Sequence, residues 1–135
     1  MNSQIFLNLP VADLAKSREF FKALGYTINE QFSDDTAACV VISEHIYVMI
    51  LTHAKFREFT PKAICDTAKA TEVLIALSCD SRAELEELVK KAVTAGASIY
   101  AEPKDYGFMY QHSFQDLDGH SWELVYMEPG AECPA

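Results

Sequence analysis

Apolar residues recur along this chain in short runs separated by polar or glycine-bearing breaks, and the period of each run predicts its element. Gln4 to Leu9 is an apolar run closed by Pro10, a strand signal. Asp13 then stands as a helix N-cap, Leu14, Phe20, Phe21 and Leu24 recur at helical spacing, and Gly25 follows in the position that ends helices. Tyr26 to Phe32 alternates weakly, and Ser33-Asp34-Asp35 makes a turn. Ala37 to Ile42 and His45 to Leu51, broken by Ser43-Glu44, predict a hairpin. Thr60-Pro61 predicts the start of a short helix running to about Ala68, packed through Phe56, Phe59 and Ile64.

The order then restarts. Glu72 to Ser78 predicts a strand, and Ser81-Arg82-Ala83-Glu84 a capping box. Leu85, Leu88, Val89, Ala92 and Val93 form an amphipathic stripe that Gly96 ends. Ala97 to Ala101, Tyr110 to Phe114 and Trp122 to Met127 predict three further strands, the last two joined by a turn at Asp116-Leu117-Asp118-Gly119. Gly96 lies 71 positions after Gly25 and Ser81 lies 68 after Asp13, so the same β-α-β-β-β order is used twice. The predicted fold is α+β, with two tandem βαβββ modules forming a curved mixed sheet around a concave cavity. The expected boundaries within one domain of residues 1–135 are about 4–52, a connector of about 53–70, about 71–128, and a tail of 129–135.

Composition narrows the partners. Half the residues are apolar and 23% are charged, enough for a packed interior. Eleven Lys and Arg against twenty Asp and Glu give a net charge of −9, which argues against nucleic acid and against an anionic membrane surface. No apolar run approaches the roughly 18 residues a membrane helix needs, and no secretory signal is visible at the start. A cytoplasmic location is the expectation. Cys39, Cys65, Cys79 and Cys133 show no metal-binding spacing, and Cys39 and Cys79 read as buried free thiols.

Two stretches carry a family resemblance. Leu9-Pro10-Val11-Ala12-Asp13-Leu14-Ala15-Lys16-Ser17-Arg18-Glu19-Phe20-Phe21, followed by Leu24-Gly25-Tyr26, resembles the opening of vicinal oxygen chelate proteins. Asp116-Leu117-Asp118-Gly119-His120-Ser121-Trp122-Glu123-Leu124 resembles their closing signature. That superfamily holds glyoxalase I, extradiol dioxygenases, and fosfomycin and bleomycin resistance proteins, and the likeness, to a small bacterial-type single-chain member, covers about residues 4–128. It implies a divalent metal on the open sheet face, held by His or Gln on the first strand and Glu on the last strand of each half. Those positions fall on Phe6, on Val48 or Met49, on Leu74 and on Glu123, so only Glu123 matches a residue type the resembled family uses as a ligand.

The resemblance therefore implies a glyoxalase/bleomycin-resistance-like small-molecule-binding protein with a degenerate metal site, binding or sequestering a small apolar ligand, with no cofactor expected. The alternative is a metal-dependent lyase, isomerase or dioxygenase using a non-standard ligand set that includes Glu123 and a divalent metal. As an enzyme it would be lactoylglutathione-lyase-like or dioxygenase-like, with Glu123 the candidate general base. Asn8, Tyr106, Phe108, Tyr110 and His112 are the candidate ligand-binding residues, the 106–110 loop closing over the ligand on a Gly107 hinge. His120 reads as an exposed turn residue that could join His112, Asp116 and Glu123 around a metal. The expected partners are a small-molecule ligand and a second copy of the chain.

Overall fold

The computed structural model describes residues 1–131, and Cys133 and the end of the predicted tail fall outside them. The chain divides into two compact units, Met1–Asp66 and Thr67–Ala135. Among the described residues, no helix is long and apolar enough to cross a membrane.

The first unit runs β1 (Ile5–Val11), α1 (Leu14–Ala23), β2 (Thr27–Asn29), a 3₁₀ turn (Glu30–Phe32), β3 (Ala37–Val41), β4 (Ile46–Thr52) and α2 (His53–Arg57). Its four strands form one sheet in the order β1-β4-β3-β2, with β1 parallel to β4 and the other pairs antiparallel. β1 continues through Pro10 to Val11 rather than stopping before the proline. As an end strand of its sheet it tolerates a residue with no N–H. The Asp13 side chain accepts from the Lys16 amide and starts α1 as the sequence predicts. Gly25, at φ +103°, ends it. Phe20 and Phe21 bury against the α1-side face of the sheet, where Leu9, Ala38, Val40, Val48 and Ile50 are also buried.

The predicted helix over residues 60–68 does not form. The helical turn lies earlier, at His53–Arg57, because the Thr52 hydroxyl accepts from the Lys55 amide and caps that end instead. Likewise the weak alternation through Phe32 yields only three strand residues, after which Asn29 caps the 3₁₀ turn by accepting from the Gln31 amide.

The second unit runs β5 (Leu74–Ser78), α3 (Arg82–Thr94), β6 (Lys104–Asp105), β7 (Met109–Gln115) and β8 (Ser121–Met127). Its sheet has the matching order β5-β8-β7-β6, with β5 parallel to β8. The capping box is made with a shift: Ser81 accepts from the Glu84 amide, while the Glu84 carboxylate accepts from Asp80 rather than Ser81. Leu85, Val89 and Ala92 are buried, whereas Val93 is exposed. The predicted strand over 97–101 is reduced to one bridge between Ser98 and Gln115, and the fourth strand of the sheet is the two-residue β6.

Candidate functional site

Strand alternation sorts each sheet into a helix-covered face and an open one. On the first sheet, register places Phe6, Tyr47, Val41 and Thr27 in one open-face row, and Asn8, Met49, Cys39 and Asn29 in the next. Phe6 and Tyr47 stack with ring centroids 4.9 Å apart and planes 10° from parallel. Phe6 nonetheless keeps 53% of its surface exposed. Phe6, Tyr47, Met49, Cys39 and Asn29, with Gln4 and Phe32, line a cavity of about 350 Å³. A neighbouring cavity of about 460 Å³ is lined by Phe6, Leu7, Asn8, Leu51, Phe56, Phe59 and Thr60. Asn8 donates from Nδ2 to the Phe6 carbonyl, a weak 3.3 Å contact that turns its amide along its own strand.

Polar atoms at the first cavity are partly committed. Gln4 Nε2 donates to the Glu44 carbonyl and to the Tyr47 hydroxyl, and that hydroxyl donates to the Glu44 carbonyl. Ser33 Oγ donates to the Asn29 carbonyl and accepts from the Cys39 amide, tying the 3₁₀ turn to β3. Burial raises the Cys39 thiol pKa, so this sulfur is held as a neutral thiol.

On the second sheet, Glu123 lies half-buried on the open face, flanked in register by Ala76 and Ser113. His112 and Tyr110 do not join it. They pair across from Leu124 and Tyr126 and face the α3 side with Phe114 and Trp122. Tyr110 is buried there beneath the Arg82 guanidinium, 3.8 Å from its ring centroid, and Arg82 also binds Asp105 at 3.1 Å. His112 Nε2 is buried without a hydrogen-bond partner. The even spacing of Tyr110, His112 and Phe114 predicts a shared face but cannot say which face α3 covers. Tyr106 and Phe108 are about half exposed, their rings 6.4 Å apart. Gly107 between them, at φ +85°, is fixed by donating to Asp105 Oδ1. That bond first, and Arg82 second, holds the Asp105 carboxyl below the usual carboxylate range.

His120 is buried, not exposed. Its Nδ1 stands 2.8 Å from Glu72 Oε1, and its imidazole has only 1% of its surface exposed. Asp116 beside it is buried too. Asp116 Oδ1 accepts from the Asp118 and His120 amides, and Oδ2 accepts from Trp122 Nε1. Thr67 Oγ1 closes the same turn by donating to the Asp118 carbonyl. Burial raises the Asp116 carboxyl pKa, the His120 charge and these hydrogen bonds opposing the rise. Asp116 thus holds the β7–β8 turn, both of its carboxylate oxygens already accepting hydrogen bonds. Among the described residues, no group of three or more His, Cys, Asp or Glu could hold a metal ion.

Two successive βαβββ units, each with a helix on one sheet face and no helix of its own on the other, define the class of protein. The model of the bleomycin resistance protein-like N-terminal family matches residues 4–43. The hypothetical protein SA1046 from S. aureus is 30% identical over 93% of this chain and 95% of its own, with a TM-score of 0.80. A glyoxalase/bleomycin resistance protein/dioxygenase from Nocardioides is 22% identical over 96% and 86%, with a TM-score of 0.73. Fosfomycin resistance protein FosX from Mesorhizobium loti, 15% identical over 96% and 95%, has a TM-score of 0.69. No curated protein matches the chain significantly. The chain has the fold of the vicinal oxygen chelate superfamily.

The residues at the superfamily's metal positions do not fit a hard divalent ion. Register resolves the fourth-strand position, since Val48 faces α1 and Met49 the open side. Phe6, Met49 and Leu74 offer no oxygen or nitrogen donor, and Glu123 has only Ala76 and the Ser113 hydroxyl beside it in register. The aromatic stack of Phe6 on Tyr47 is the feature that sequence reading missed. The signal was present, because Phe6 and Asn8 alternate on one strand as Tyr47 and Met49 do on the other.

Proposed function

We propose that this chain binds a small, largely apolar molecule on the open face of its first sheet, without the superfamily's metal. The observation that supports this reading is the Phe6–Tyr47 stack. It stands where the first-strand metal ligand would be and walls a cavity of about 350 Å³, within the size range of small-molecule sites. Asn8 borders the site as a polar neighbour. In the second unit, taken by itself, Glu123 on the open sheet face and the half-exposed Tyr106–Phe108 ring pair are the groups accessible to a small molecule. Tyr110 and His112, turned toward α3, act behind them by fixing the strand.

A thermal-shift screen of neutral and charged small molecules, paired with elemental analysis of the purified protein, tests the reading. The expected result is a ligand that raises Tm with no stoichiometric metal present. The ligand's affinity should fall about 5- to 150-fold in Phe6→Ala, the effect of losing an anchoring side chain buried against the ligand and worth roughly 1–3 kcal/mol. One metal per chain, lost in Glu123→Ala, overturns it in favour of a metal-dependent enzyme built on Glu123. Sedimentation at twice the 15.1 kDa chain mass is the expected assembly state.

A further inference from the structure

We infer that the molecule this first-sheet cavity takes is an uncharged, flat ring compound of one or two fused rings, bearing a group that both donates and accepts a hydrogen bond. This rests on the reading that the cavity is a ligand site, and three observations carry it further. First, among the described residues no charged side chain lines the cavity, so a ligand's charge would be desolvated with no partner there. An anion would in addition meet the field of a chain with net charge −9.

Second, the walls favour a flat ring over a merely greasy one. Phe6 is stacked on Tyr47 from one side, and its exposed surface lets a further ring extend the stack. Phe32, 67% exposed, contributes a third ring. Aromatic pairing of this kind adds about 2- to 13-fold in affinity beyond area burial alone, from its roughly 0.5–1.5 kcal/mol. Third, the rim amides are set to opposite roles. Asn29 Oδ1 already accepts from the Gln31 amide, which leaves its Nδ2 as the donor for a ligand. Gln4 Nε2 already donates to the Glu44 carbonyl and Tyr47 hydroxyl, which leaves its Oε1 as an acceptor. A phenolic hydroxyl or a cyclic amide edge satisfies both.

The test uses the full chain and three probes: 2-naphthol, its saturated counterpart decahydro-2-naphthol, and 2-naphthalenesulfonate. Titration calorimetry should show 2-naphthol binding at least about 5-fold more tightly than the saturated alcohol, and about 10-fold more tightly than the sulfonate. Phe6→Ala should remove most of the advantage of 2-naphthol, weakening it more than it weakens the saturated alcohol, which loses only the apolar contact. If the saturated alcohol or the sulfonate binds as tightly as 2-naphthol and still weakens in Phe6→Ala, the cavity remains the site and this ligand class is wrong. If none of the three binds, or if binding is indifferent to both Phe6→Ala and Met49→Lys, the reading of the cavity as a ligand site falls with it.

Discussion

The β3–β4 turn of the first unit and the β7–β8 turn of the second occupy the same step of the same topology, and a histidine immediately precedes the strand in both. His45 is exposed, bonded to the Ser3 carbonyl and 3.1 Å from the exposed Glu44. His120 is buried against Glu72, next to an aspartate that accepts three hydrogen bonds. Repeating a fold therefore does not repeat where its polar groups are buried. The first unit keeps its turn simple and leaves an aromatic face open. The second commits its buried polar groups to a clasp between the turn and the Thr67–Glu72 stretch.

The comparison breaks most readily at Asp116. Asp116→Ala strands two backbone amides and an indole N–H, and should cost about 3 kcal/mol in urea denaturation. Glu44→Ala in the first turn should stay within about 0.5 kcal/mol. His120→Ala, which unpairs the Glu72 carboxylate and empties a buried site, should cost about 2 kcal/mol, against less than about 0.5 for His45→Ala. Equal losses at the two histidines would end the contrast.

Glycine substitutions sharpen it further. Gly25 and Gly119 both hold positive φ, so alanine at either costs about 1 kcal/mol in backbone strain. At Gly119 a Cβ would also lie 2.7 Å from Thr67 Oγ1, while nothing lies within 4 Å at Gly25. Gly119→Ala should thus be the worse by about 1 kcal/mol, and Thr67→Ala should relieve part of the difference in the double variant.

The smallest effect is a difference in sign with pH. Burial raises the Asp116 pKa above its ordinary value. Its contribution to stability is fully present below that value and is lost as pH rises through the folded one. Asp34, lowered by hydrogen bonds from the Thr36 side chain and backbone and from the Ala37 amide, runs the other way: its contribution is present at neutral pH and lost on acidification. As pH falls from neutral to below the ordinary aspartate value of 3.8, wild type should gain stability relative to Asp116→Asn on the way down to that value and lose it relative to Asp34→Asn at and below it. Parallel denaturation series check both slopes.

Most of the fold was legible because it rests on local rules. The Asp13 and Ser81 caps, the stops at Gly25 and Gly96 and the period-2 strands are each written within a few residues, and their repetition gives the duplicated topology. What failed was decided by competition at a distance. Thr52 drew a helix start away from Thr60, and only one bridge held residues 97–101 to β7. The candidate site was less legible. Alternation put Glu123 on one face and Tyr110 and His112 together on one face, but only α3 sets which face is covered. The buried state of His120 depends on Glu72, a residue 48 positions earlier with no pattern announcing the pairing.

The parallel pairing that closes each sheet also sets an order of events while the chain is being made. β1 finds no partner until β4 exists, since Ile5 pairs with Ile46, 41 positions on, and β5 waits in the same way while Leu74 awaits Ser121, 47 positions on. Such long closures are entropically slow steps. The first unit has all its strands once Thr52 has emerged, and so can finish before β5 leaves the ribosome. Synthesis then releases the two look-alike sheets one after the other, and a strand of the second half meets a first sheet whose places are already filled.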